Sequence, residues 1–274
     1  MGLSDFNSLP LSEMTLIAVQ AAMCGGEILK KGFGTSYSIQ SKRNIHDLVT
    51  DYDRKSEKAI IDFLKKKYSN HTFLSEECGK IGEPSQQIEW IIDPLDGTVN
   101  FVHEIPVFSV SIAARKEGEV VVGAIYQPLT TELFLAEKGV GSFFKGKKLE
   151  VSEVKEIKKS FLVTGFPYNV TENPHHCIEH FIEFIRMGIP IRRMGSAALD
   201  YSYVAAGKFD GFFEASLAPW DCAAGKLMVE LAKGKVSTWD GKILSIDSYA
   251  SQVASNGWIH DQLVKILHDK NPRR

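Results

Sequence analysis

The stretch Trp90-Ile91-Ile92-Asp93-Pro94-Leu95-Asp96-Gly97-Thr98-Val99-Asn100-Phe101 decides the reading of this chain. Trp90-Ile91-Ile92 is a short apolar run of the kind that forms a buried strand. It delivers Asp93 at its end, and Pro94, which has no N–H to donate, is expected to stop the ladder there. Asp96-Gly97-Thr98 then turns the chain, leaving two carboxylates three residues apart at a strand end. Such a pair serves either as an Asx turn with a helix cap or as a seat for a hard cation. A calcium loop is excluded. Glu104 falls at its twelfth place counted from Asp93, but Leu95, Gly97 and Thr98 stand where side-chain ligands and the glycine are required.

On the N-terminal side, Ser12-Glu13 opens a stretch with Met14, Ile17, Ala18 and Ala21 at helical spacing, closed by Gly32 and Gly34. A polar loop is expected over residues 36–46. A second amphipathic helix follows over residues 51–68, with Ala59, Ile60, Phe63 and Leu64 among lysines and glutamates. On the C-terminal side, residues 107–114, 120–126, 133–135 and 142–144 read as strands of one sheet. After about residue 159 strand and helix alternate, which implies a layered α/β second half. The expected strands are 161–164, 189–193, 212–214 and 252–254, and the expected helices are 174–187, 196–206, one opening near Trp220, and one from Ile259. The expected division is an N-terminal α+β subdomain, 1–155, and a C-terminal α/β subdomain, 156–274, packed as one globular unit with a cleft between them.

The 274 residues allow two subdomains or one large layered unit at roughly 150 residues per domain. Lys and Arg number 32 against 34 Asp and Glu, a net charge of −2, so no whole-molecule field recruits nucleic acid or an anionic membrane. Cys24, Cys78, Cys177 and Cys222 form no paired spacing for zinc or a redox dithiol, which fits a reducing compartment. Gly2 lacks the Ser or Thr four residues on that myristoylation wants, where Phe6 stands, and no apolar run spans a bilayer. The sequons at Asn70 and Asn169 read as chance matches without a secretion signal. The expectation is a cytoplasmic protein with no membrane partner.

Two further acidic features accompany the central stretch. Phe73-Leu74-Ser75 leads to Glu76-Glu77, and Ala218-Pro219-Trp220 leads to Asp221 followed by Cys222-Ala223-Ala224-Gly225. Asp221 also reads as a plain helix N-cap. Together with Gly195-Ser196-Ala197-Ala198, in this order and spacing over residues 12 to 260, these segments resemble the inositol monophosphatase family, magnesium-dependent and lithium-sensitive phosphatases. The resemblance implies the layered α/β/α/β/α sandwich shared with fructose-1,6-bisphosphatase, and a homodimer.

By that resemblance Glu76, Asp93 and the carbonyl of Leu95 hold one Mg2+, and Asp93, Asp96 and Asp221 hold a second, with two or three ions per site. Oxygen-only donors suit Mg2+. Thr98 is implied to orient the attacking water together with an upstream aspartate, Asp53 or its neighbour Asp51, and Glu76 joins them in catalysis. The N–H groups of Gly97 and Thr98 would hold phosphate oxygens, so no basic patch is needed. Ser196, Ala197 and Glu214, with Asp96 and Asp221, would meet the organic half of the substrate. Lys42 resembles a lysine that closes over the metals, with a solvated lysine as the alternative. Glu214 has a solvated strand end as its alternative reading. His103 reads as a packing residue, and Cys222 as a small packing residue rather than a reactive thiol.

The implied reaction is hydrolysis of inositol monophosphate or a related small polyol or sugar phosphate ester by a metal-activated water. Asn100-Phe101 resembles the inositol-phosphate branch. The alternatives are phosphatases of fructose 1,6-bisphosphate, histidinol phosphate or 3′(2′),5′-bisphosphate nucleotides, and a regulatory relative associated with RNA or transcription.

Overall fold

The computed structural model describes residues 9–42, 45, 47–83 and 88–269. Gly2 and Phe6, and Arg43, Asn44 and His46 of the polar loop, lie outside them. The first helix, α1 (Glu13–Gly32), is capped by Ser12, whose hydroxyl accepts the Thr15 N–H. Two strands pair antiparallel, β1 (Ile39–Ser41) inside the stretch expected to be loop and β2 (Leu48–Thr50) just after it. Three residues each, with β1 wholly exposed, leave no apolar alternation to read. Thr50 caps α2 (Asp51–Lys67) by accepting the N–H groups of Tyr52 and Asp53, and Asp53 returns the contact to the Thr50 N–H at 2.7 Å.

The central elements are β3 (Thr72–Ser75), β4 (Gly79–Ile81), β5 (Ile88–Asp96), α3 (Thr98–Val102), β6 (Ser109–Lys116), β7 (Glu119–Gln127), β8 (Glu132–Glu137), β9 (Gly141–Phe144) and β10 (Lys147–Lys148). They build a sheet of order β10-β9-β8-β7-β6-β5-β3-β4, antiparallel except for the β3–β5 pair. Then come β11 (Leu162–Thr164), α4 (Cys177–Arg186), β12 (Ile191–Arg192), α5 (Ala197–Ala205), β13 (Gly211–Leu217), α6 (Pro219–Leu231), β14 (Lys235–Ser237), β15 (Ala250–Ser255) and α7 (His260–Leu267). The second sheet runs β12-β11-β13-β15-β14, with β12, β11 and β13 parallel and β15 antiparallel to both its neighbours.

Strand alternation sorts the apolar side chains into three cores. Trp90 and Ile92 of β5 face α1 and α2, packing with Ile17, Leu29, Ile60 and Leu64. Ile91, between them, faces the opposite way onto α5 and α6, where Tyr201, Ala224 and Met228 also meet Val163 and Phe212 of the second sheet. Leu162 and Phe213 point to the far side, against Phe184 of α4 and Leu263 of α7. The layer order is thus α/β/α/β/α, as the family resemblance implies.

Four local expectations are corrected. The β5 ladder does not stop at Pro94, because a bulge between Asp93 and Asp96 takes Pro94 out of the pairing and Asp96 pairs again with Ser109. Glu214 is not a solvated strand end. It is buried in mid-strand, and β13 continues to Leu217 past a second bulge. The helix expected from residue 174 is α only from Cys177, since His175 and His176 hold positive φ that an α-helix excludes. Asp221 is not the N-cap of α6. Ala218 is, and Asp221 sits a turn inside, accepting the Ala218 N–H at 2.7 Å.

Candidate active site

The site lies where α2, the β5–α3 turn, the turn after β3 and the starts of α5 and α6 converge. Its chain geometry begins at Gly97, which has a φ of +98°. A Cβ there would stand 3.0 Å from the carbonyl oxygens of both Val107 and Gly195, so glycine alone permits the turn and the close approach of the two halves. Asn100 fastens that approach, its amide donating to the carbonyls of Val107 at 2.7 Å and Met194 at 2.8 Å.

The turn delivers Thr98 to Asp53. The Thr98 hydroxyl donates to Asp53 Oδ1 at 2.9 Å, sharing its proton with the Leu95 carbonyl at 3.1 Å. Asp51, its competitor in sequence, accepts the Ser38 N–H at 3.2 Å instead. Asp53 is fully buried. Burial raises its pKa, against the bonds from Thr50 and Thr98 that favour the charged form.

Asp93 and Asp96 are buried at the bulge, while Glu76 and Asp221 are partly exposed. Burial pushes Asp93 well above the usual carboxylate range, and repulsion from Glu76, Asp96 and Asp221 adds to it. Asp221 is raised in the same way by burial, Glu76 and Asp96. Desolvation lifts Glu76 to about 7, opposed by Lys42. These four carboxylates therefore sense one another and call for positive charge.

Lys42 supplies one such charge, its ammonium bonding Glu76 Oε1 at 2.9 Å and also Glu77. Against the cost of its own burial, those glutamates raise the Lys42 pKa. Lys42 is exposed, but its ammonium is tied to the acids rather than merely solvated. Among the described residues no three His, Cys, Asp or Glu side chains stand in an arrangement that would hold a metal ion as they are. The donor set is all oxygen, which is the chemistry of a hard divalent cation.

Asp96 has a denser set of partners. It accepts the Ser196 hydroxyl, the Ala197 N–H at 3.1 Å and the Ala198 N–H at 2.9 Å, with Ser109 Oγ at 3.3 Å. Ser196 and Ala197, read from the sequence as substrate contacts, thus spend these donors on Asp96 at the start of α5. Burial still raises the Asp96 pKa against those bonds.

Glu214 presents its carboxylate to the backbone of Gly165, where a Cβ would lie 2.1 Å from Oε2. Burial lifts its pKa to about 8, with Arg193 opposing and Asp96 adding. His103 is exposed. Cys222 is buried against the Pro219 carbonyl, and burial pushes its thiol up to about 12, a packing residue rather than a nucleophile. The four cysteines are free. No helix among the described residues is long and apolar enough to cross a membrane.

Sequence reading missed Ser56 and Glu57. Ser56 Oγ donates to the Pro94 carbonyl at 2.9 Å, and Glu57 gathers donors from the turn carrying Glu76. Positions 53, 56, 57, 60, 61 and 64 are the buried stripe of α2. Polar residues at the first three positions of an otherwise apolar stripe were the available signal.

Comparison with known proteins identifies the family. The model of the inositol monophosphatase family matches residues 10–271. The chain is 41% identical over 229 residues to the Nus factor SuhB of Escherichia coli strain K12, covering 83% of this chain and 86% of that protein. It is 40% identical over 261 residues to an inositol-1-monophosphatase of Mesorhizobium japonicum, covering 93% and 96%. The crystal structure of extragenic suppressor protein suhB from Bartonella henselae superimposes with a TM-score of 0.88 at 38% identity, covering 94% of this chain and all of that one. The chain belongs to the inositol monophosphatase family.

Proposed function

We propose that this protein is a Mg2+-dependent phosphomonoesterase acting on inositol monophosphate or a related small polyol or sugar phosphate. The observation that carries the reading is the elevation of Glu76, Asp93 and Asp221, by burial first and for the two aspartates also by the charge of Glu76 and Asp96, beside a Thr98–Asp53 hydrogen bond. Glu76, Asp93 and the Leu95 carbonyl would hold one ion, and Asp93, Asp96 and Asp221 another. Bound Mg2+ neutralises charge at the phosphate and makes a water easier to deprotonate.

The chain's own groups do the rest. Thr98 already donates to Asp53, so its oxygen is free to accept a hydrogen bond from an incoming water and orient it in line with the phosphorus. Asp53, its pKa raised by burial, is the acceptor at the end of that relay. The N–H groups of Gly97 and Thr98, at the start of a helix too short to bond them internally, would hold phosphate oxygens. Glu214 offers acceptors to substrate hydroxyls from the opposite sheet. Lys42, which holds Glu76 here, would have to give up that contact for Glu76 to hold an ion. Homodimeric assembly and lithium sensitivity belong to the same reading and rest on the family resemblance.

A second reading, a regulatory protein associated with transcription, is favoured by the name Nus factor SuhB among the relatives. A single assay separates the two. Phosphate release from inositol, fructose, histidinol and nucleotide phosphates should require Mg2+, fall in millimolar Li+, and drop by several orders of magnitude in Asp93→Asn, because Asp93 serves both ions. Undiminished turnover after chelation, or in Asp93→Asn, overturns the mechanism. A folded protein that releases phosphate from none of the substrates supports the regulatory reading.

A further inference from the structure

The buried polar stripe at the start of α2 makes three contacts to three different loops of the site. Asp53 takes the Thr98 hydroxyl, which fixes the turn into α3. Ser56, three residues on, donates to the Pro94 carbonyl and fixes the β5 bulge between Asp93 and Asp96. Glu57, one turn beyond Asp53, fixes the turn after β3. Its Oε1 accepts the Ser75 hydroxyl, the Glu77 N–H at 3.0 Å and the Cys78 N–H at 3.1 Å, and its Oε2 accepts the Cys78 thiol at 2.7 Å. Glu57 is 2% exposed, and all four donors flank Glu76. Glu76 itself has one backbone tie, its N–H to the Ile92 carbonyl at 3.2 Å.

From this arrangement we infer that Glu57 is the positioning residue for Glu76, and that α2 is a rigid template registering the metal-ligating loops against one another. The inference rests on the proposed function. A turn between short strands holds its backbone loosely, whereas a carboxylate taking two N–H groups and two side-chain donors sets both its place and its direction. A helix is the stiffest support available, and positions i, i+3 and i+4 project from one face. Groups that orient a metal ligand without touching the metal cost about 10–100-fold in affinity when removed. Glu57→Gln keeps the shape but turns an NH2 group toward at least one donor, so the turn must shift.

The test measures Mg2+ binding by calorimetry on wild type, Glu57→Gln, Glu57→Asp and Cys78→Ser, with fold checked by circular dichroism. The Mg2+ dependence of phosphate release is followed in parallel. Glu57→Gln should bind Mg2+ about 10–100-fold more weakly, with kcat largely restored at saturating Mg2+. Glu57→Asp should fall between, and Cys78→Ser, which keeps a donor, should match wild type. Native Mg2+ affinity in folded Glu57→Gln overturns the inference, as does a fall in kcat with unchanged Mg2+ dependence, which marks a structural role. If Glu57→Gln does not fold, Glu57→Asp decides by the same two criteria. Wild-type protein that neither binds Mg2+ nor releases phosphate refutes the proposed function itself. Wild type that does both while the Glu57 variants bind equally refutes the template alone.

Discussion

Glu214 and Gly165 illustrate how a missing side chain makes room for a buried carboxyl group. The carboxylate lies in mid-strand, where burial lifts its pKa to about 8, and it fits because Gly165 leaves room that a methyl group would fill. In the proposed function it is the acceptor for substrate hydroxyls. Above that pKa, where the carboxylate is ionised, a charge-assisted hydrogen bond of that kind is worth about 1.5–3 kcal/mol, or about 10–150-fold. Glu214→Gln should therefore lower kcat/KM on inositol phosphate by that factor while changing an aryl phosphate, which has no such hydroxyls, little. Gly165→Ala should reproduce the same selective loss by displacing the carboxylate. Equal losses on both substrates would assign Glu214 to the structure or to the metal site. The family resemblance identified Glu214, but not its surroundings. Ala215-Ser216-Leu217 carries too weak an alternation to show that β13 continues, and Gly165 gave no signal before its neighbour was known.

At the scale of elements, legibility followed length and contrast. The helices α1 and α2 and the strands β5 to β9 have enough residues for periodicity to separate buried from exposed faces. β1, β4, β10, β12 and β14 have two or three residues each, and pairing with neighbours defines them instead. The Pro94 rule misled because a bulge removes the need for the missing donor. The contact between α1 and α2 is equally a tertiary fact. A Cβ on Gly25 would lie 2.6 Å from both Ile60 Cδ1 and Ser56 Oγ. Ala in place of Gly gains about 0.5–1 kcal/mol of helix propensity, while overpacking a filled contact costs about 1–3 kcal/mol. The clash wins, so Gly25→Ala should lower the midpoint of thermal unfolding. Because Ser56 bonds Pro94, the same variant should also raise the Mg2+ concentration needed for half-maximal activity. A raised midpoint with unchanged Mg2+ dependence would show that α2 absorbs the methyl group without moving.

For the whole molecule, the five layers bring together carboxylates from residues 76, 93, 96 and 221, and no local pattern states that proximity. The family's motif order carried it, as physics at the sequence level did not. Layering also places titratable groups far from the site, and these set the pH response of stability. His260, 1% exposed, ties α7 to the edge of the second sheet through Ser237 Oγ and Ser255 Oγ, each 2.9 Å from a ring nitrogen. Burial, with Lys235 nearby, lowers its pKa to about 4. The unfolded chain takes up this proton below about 6.5 and the folded protein only below about 4, so the stabilisation is whole above 6.5 and is lost progressively as pH falls between those values. Glu76 and Glu214 act in the opposite sense in Mg2+-free protein. Their folded pKa values, about 7 and about 8, lie above the ordinary 4.5, so their contribution is whole below about 4.5 and is lost as pH rises from there to about 7 and about 8. The two trends partly cancel in wild type, so total stability against pH does not isolate either. The difference between wild type and His260→Gln does, since every other group titrates alike in both. Chemical denaturation from pH 7.5 down to 4 should show that difference shifting in favour of His260→Gln by about 3 kcal/mol, the lowered pKa converted at 1.36 kcal/mol per unit. A difference that stays constant across this range would mean that the imidazole is protonated inside the fold, with one of its serine contacts rearranged to accept the proton.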